Sequence, residues 1–182
     1  MTRSTTDSQR YSSVAIAFHW TIALLVIVNL VIGLGHETIP ALRAWMGTHK
    51  AIGISVLVLT LARVAWRLAH PPPPLRAVTP AWERVAAHAT HWSLYALLLA
   101  MPLTGWALVS GPEAKRPLSW FGLFDVPLLP VTSSTADAAD AAHGLLGWVM
   151  LALVVLHVAA ALRHHLILRD HVLARMAPAL RR

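Results

Sequence analysis

The 182-residue sequence contains no cysteine. That excludes disulfides, iron–sulfur clusters, thiolate zinc sites and the C-x-x-C-H attachment of covalently bound haem. Charge is the second shortage: 13% of residues are Asp, Glu, Lys or Arg, against about 25% in a soluble domain. Acids are fewer than bases, 8 against 15. The formal net charge of +7 is not gathered into a basic domain, as a nucleic-acid partner would require. The bases fall in short segments between apolar runs, where positive charge fixes membrane orientation. With 57% hydrophobic residues, these shortages predict an all-α integral membrane protein embedded in a lipid bilayer.

Four apolar spans are legible, at about 14–35, 47–69, 89–110 and 143–166, which together make a single membrane domain, residues 1–182. The first, Val14 to Leu34, is charge-free over 21 residues, enough to cross hydrocarbon about 30 Å thick. It is too long for a signal peptide, and it ends in GLGHE without a small-residue cleavage pattern. Arg63 and Arg67 stand one turn apart at the far end of the second span and can snorkel to the interface. HPPPPLRAVTP then breaks any helix, and Trp82 to Thr90 reads as an amphipathic lead-in to the third span. Pro102 inside that span predicts a kink. The connection 111–142 has an apolar middle, LSWFGLFDVPLLP, too short and proline-broken to span; it is expected on the membrane surface or capping the bundle.

Four spans put both termini on one side. With that side cytoplasmic, the inner segments hold 11 of the 15 bases and the outer ones hold Arg43, Lys50, Lys115 and Arg116. Five of the 8 acids are outside. The positive-inside rule therefore predicts a four-helix bundle oriented N-in, C-in.

That orientation gives each histidine a depth. The fourth span, HGLLGWVMLALVVLHVAAALRHH, carries His143 at its outer end and His157 14 residues further in, about 21 Å along the axis and on nearly the same face. His19 lies about 7–8 Å inside the first span, and His49 opens the second at the outer face. The four fall into two levels, His49 with His143 outside and His19 with His157 inside. A four-helix bundle can bring each pair across its core. Imidazole inside hydrocarbon marks a functional site by default, and two imidazoles facing one haem give a six-coordinate iron that passes electrons. A bare metal ion would need three or four ligands at one level. The arrangement predicts a bundle enclosing two non-covalent haem b groups, His19 and His157 holding the inner iron and His49 and His143 the outer.

Gly47, Gly53, Gly144, Gly147, Ala160 and Ala161 flank these histidines, either making room for porphyrin or packing helix on helix. His36, His70 and His171 suit surface or capping roles. His88, His91, His164 and His165 lie near the inner face, where a proton-coupled acceptor such as a quinone needs a proton donor. His88 or His91 replacing His19 as a ligand stays open. Arg63 and Arg67 either enforce topology or also pair with haem propionates.

FHW opening the first span, GTHKAIGISVLVLTLARVAWRL in the second, AHATHW opening the third and the fourth span's histidine pattern resemble the bacterial cytochrome b561 family over about residues 10–178. The resemblance implies an inner-membrane di-haem protein of the superoxide oxidase type, with superoxide giving electrons at the periplasmic side and ubiquinone reduced near the cytoplasmic side. It implies the same four haem ligands, and places His164 at a quinone-contacting position. His91 and Arg76 are further quinone-site candidates; the family's basic quinone contact in the proline-rich connection has no clear match, simple alignment giving Val78. The alternative is a cytochrome b subunit anchoring a redox partner protein such as a dehydrogenase. A haem-free transporter with a histidine proton path is a third class, and it would purify colourless.

Overall fold

The computed structural model describes residues 11–71, 80–113, 116–170 and 172–180. Its main elements are α1 (Ser13–Gly35), the short α2 (Pro40–Arg43), α3 (Met46–Ala69), α4 (Ala81–Val109), β1 (Ser119–Trp120), β2 (Phe124–Asp125) and α5 (Ser133–Arg163). A π-helical turn, His164–Leu168, continues α5. The four helices α1, α3, α4 and α5 are long and apolar enough to cross a membrane.

Local chemistry sets their ends. The Ser12 hydroxyl accepts from the Ala15 amide at 3.2 Å, and the Thr132 hydroxyl from the Thr135 amide at 3.2 Å, satisfying first-turn donors that have no helical partner. His36 and His70 are the C-caps of α1 and α3, each with Nδ1 bonded to a carbonyl of the preceding turn, Gly33 at 2.7 Å and Trp66 at 3.2 Å. Both suit the capping role expected of them.

Two boundaries differ from the sequence reading. Helix α4 begins at Ala81, so the expected lead-in 82–90 is continuous with the span. Its Glu83 pairs with Arg163 at 3.2 Å, tying α4 to the end of α5. Helix α5 begins at Ser133, ten residues before His143, because alanine-rich STADAADAA needs no apolar face to be helical. His143 thus lies three turns inside its helix, and the connection shortens to 110–132.

Helix α1 packs along α3 and α4 along α5, with α3 and α4 joining the two hairpins. The core is one apolar layer of Ile22, Val26, Ile52, Val56, Leu97, Leu98 and Met150. Outward faces are also apolar: Leu24 is 64% exposed, Leu145 67% and Val155 59%. Such a surface is stable only against lipid. The connection after α4 straps one end of the bundle. Trp106 Nε1 donates to the Pro127 carbonyl at 2.9 Å, Trp120 Nε1 to the Ser55 hydroxyl at 3.0 Å, and Lys50 Nζ to the Pro117 carbonyl. Its apolar middle therefore caps the bundle, with Leu118 4% exposed. At the other end Trp20 Nε1 donates to the Met176 carbonyl at 2.8 Å, closing the tail under α1.

A β-carbon on Gly111 would lie 2.8 Å from Cβ of Ala136, so only glycine lets the end of α4 meet the first turn of α5. Gly111→Leu is expected to cost about 1–3 kcal/mol, the usual penalty for overpacking. A lowered midpoint in circular-dichroism melts of the detergent-solubilised protein checks this.

Candidate functional site

A 14-residue interval recurs in all four spanning helices: His19 and Gly33 on α1, His49 and Arg63 on α3, His91 and Gly105 on α4, His143 and His157 on α5. Four turns apart on one face, these residues define two levels in an antiparallel bundle. One level contains Gly33, His49, Gly105 and His143; the other contains His19, Arg63, His91 and His157. The apolar core layer separates them.

At the first level the His49 and His143 ring centres are 6.1 Å apart. Each ring presses on a glycine of its own hairpin: a β-carbon on Gly33 would come within 2.8 Å of His49 Cε1, and one on Gly105 within 3.0 Å of His143 Cε1. His49 Nδ1 donates to the Asn29 carbonyl at 3.2 Å, and His143 Nδ1 to the Met101 carbonyl at 3.0 Å, with Thr104 Oγ1 at 3.1 Å. Because a carbonyl only accepts, Nδ1 carries the proton and Nε2 keeps its lone pair for a metal. Between the rings opens a cavity of about 410 Å³ lined by Gly53, Met101, Gly144 and Gly147, with His36, Lys50, Arg116 and Asp140 also in its wall.

At the second level the His19 and His157 ring centres are 6.2 Å apart. The His91 ring is 5.4 Å from that of His157 and is hydrogen-bonded to the Ala87 backbone. The guanidinium groups of Arg63 and Arg67 lie over the Tyr95 ring at 5.3 and 5.6 Å.

These pairs fit haem. A ligand nitrogen sits about 2 Å from a metal and a ring centre about 1 Å behind it, so imidazoles sharing one iron have centres about 6 Å apart. Both pairs have that spacing, and the first has the glycine cradle and apolar space for a porphyrin. Among the described residues no three His, Asp or Glu are grouped to hold a bare ion.

His164 lies in the π-turn, its Nδ1 2.6 Å from Asp170 Oδ2. Arg76 lies outside the described residues, as do Val78, Lys115 and His171. Of the small residues singled out in the sequence, Gly53, Gly144 and Gly147 line the cavity and Gly47 does not. Sequence reasoning missed Gly33, Gly105, Tyr95 and Asp170; for the two glycines the signal was there, 14 residues beyond His19 and His91.

A four-helix membrane bundle carrying facing histidine pairs has the architecture of a membrane b-type cytochrome. The family model described as prokaryotic cytochrome b561 matches residues 10–179, and the chain belongs to that family of haem-binding membrane electron-transfer proteins. It is 39% identical over 178 residues to cytochrome b561 homolog 2 of Escherichia coli K12, covering 94% of this chain and 93% of that protein. It is 34% identical over 174 residues to a Yersinia pestis protein named probable superoxide oxidase CybB, covering 93% and 97%. A cytochrome b562 of Cereibacter sphaeroides is 30% identical over 179 residues, covering 94% and 97%.

Gly33→Val and Gly105→Val should displace His49 and His143 and weaken haem retention about 10–100-fold, the range for losing a ligand's support. Gly47→Ala, where an added β-carbon meets nothing within 4 Å, should leave it unchanged. Haem-to-protein ratios of the purified variants, measured as the pyridine haemochrome, test the contrast.

Proposed function

We propose that this protein is a di-haem superoxide oxidase of the bacterial inner membrane, oriented N-in, C-in, oxidising superoxide at the periplasmic face and reducing ubiquinone near the cytoplasmic face. The observation that carries the reading is the pair of equal ring spacings, 6.1 and 6.2 Å, at two levels four turns apart. The name of the Yersinia pestis relative supports the choice of superoxide.

In this reading His49 and His143 hold the outer haem, and His19 and His157 the inner. Iron held between two imidazoles supplies one-electron redox chemistry with no open coordination position. In this reading His91, whose ring lies 5.4 Å from that of His157, belongs with His164 on the quinone side rather than on an iron. Arg63, beside His19, would in the same reading pair with a haem propionate as well as mark topology.

Two superoxide ions and one quinone take up two protons and yield two dioxygen molecules and one quinol. Oxidation of superoxide needs no proton, and it suits a face that supplies positive charge instead. Lys50 and Arg116 line the outer cavity and draw the anion toward it. Arg43 does not line it and is bonded to the His36 and Glu37 carbonyls at 3.1 and 3.3 Å.

The absorption spectrum of the purified protein should show two low-spin b haems, with His143→Ala and His157→Ala each removing about one. Superoxide should reduce the wild-type haem in a stopped-flow experiment; no reduction would exclude the oxidase and leave the anchoring subunit. Neutralising Lys50 and Arg116 together should slow that reduction by about tenfold at low salt and abolish most of its salt dependence, the mark of electrostatic steering. Rate constants measured across a salt series decide it.

A further inference from the structure

Helix α5 does not simply stop below the second histidine level. After Arg163 the backbone widens into a π-turn, His164–Leu168, and Arg169 then adopts left-handed geometry, φ 50° and ψ 36°. A bulky residue is strained there, and π-turns concentrate at functional positions. The amides of Arg169 and Asp170 both donate to the His164 carbonyl, the latter at 3.2 Å, which folds the chain back on itself. The product is one side-chain contact: Asp170 Oδ2 stands 2.6 Å from His164 Nδ1. The other carboxylate oxygen accepts from the Val172 amide at 3.0 Å, so the carboxylate is clamped and cannot rotate away. His164 is 19% exposed and Asp170 26%, so the pair borders both water and the bundle. His164 follows His157 by seven residues, two turns or about 10 Å on the same face.

We propose that Asp170 is a positioning residue that makes His164 the proton donor for quinone reduction. This rests on the reading that a quinone is reduced at this end of the bundle. Holding Nδ1–H on the carboxylate turns Nε2 away from Asp170, and the fixed negative charge stabilises the imidazolium that Nε2–H completes. For each proton delivered, the Nε2–H bond breaks and an O–H bond forms on a quinone oxygen. Two electrons, from two superoxide ions oxidised to dioxygen, and two such protons convert the two carbonyls to hydroxyls. Nε2 takes its next proton from water.

The test uses the full-length haem-loaded protein in nanodiscs with a water-soluble ubiquinone analogue, scoring quinol formation under superoxide. Asp170→Asn keeps the shape but weakens the charge and the hold on the tautomer. It should lower kcat about tenfold or more, within the range of general-acid effects, with KM little changed and the haem spectrum intact. The solvent deuterium isotope effect should rise as proton delivery becomes limiting. Asp170→Glu should recover part of the loss, and His164→Gln with Asp170→Asn should be no slower than His164→Gln alone. Wild-type kcat and isotope effect in Asp170→Asn, or a rise in KM alone, would overturn the role while leaving quinone reduction standing. Should Asp170→Asn lose haem, the Asp170→Glu and His164→Gln comparison decides in its place: unchanged kcat in both overturns the proposal. Wild-type protein that is reduced by superoxide yet forms no quinol overturns the dyad and the quinone reading together.

Discussion

An imidazole placed in hydrocarbon must satisfy both ring nitrogens or be expelled to an interface. Much of this bundle follows from that requirement. One nitrogen is met by a backbone carbonyl of the neighbouring helix: the Met101 carbonyl serves His143, and the Asn29 carbonyl serves His49. In the proposed reading the other nitrogen faces a haem iron, which would set the distance to the facing ring and hence the separation of the helices. Glycines at Gly33 and Gly105 make that separation attainable: any side chain there would occupy the ring's place.

The two levels are alike in spacing and different in surroundings. At the first, both neighbours of the histidines are glycine, and a cavity opens between the rings. At the second, the corresponding places are taken by His91 and Arg63, larger groups that carry or exchange protons. The bundle thus has glycines and a cavity around one pair and bulky polar side chains around the other. The crowded end also bears the Arg63–Tyr95–Arg67 stack and the clamped His164–Asp170 pair, within about two turns of each other on the bundle's length.

Much of this was legible in the sequence because it depends on spacing. Four apolar runs, and His143 and His157 14 residues apart, need only the helical repeat to be placed at depth. The start of α5 was less legible: STADAADAA is helical by propensity and capped by Thr132, yet it has no apolar run to announce it. Gly33 and Gly105 read as ordinary packing residues until the ring on the neighbouring helix is seen against them. The hairpin of Trp120 and Phe124, docked through Ser55, joins residues 65 positions apart, a pairing no local pattern encodes. Asp170 was the least accessible of all. Its meeting with His164 depends on a widened turn and a left-handed arginine, and neither has a period to detect.

The apolar layer of Ile22, Val26, Ile52, Val56, Leu97, Leu98 and Met150 sits midway between the levels. It offers no hydrogen-bonded path for a proton, whereas an electron needs no such path. On the proposed reading, electrons taken up at one face and protons taken up at the other therefore meet at the quinone end alone. On the proposed direction of flow, each electron moves inward across about 21 of about 30 Å of hydrocarbon, against an interior that is already negative. The field then opposes each transfer by about 1.6 kcal/mol per 100 mV. Oxidation of superoxide outside would thus add to the membrane potential, and a highly energised membrane would slow it.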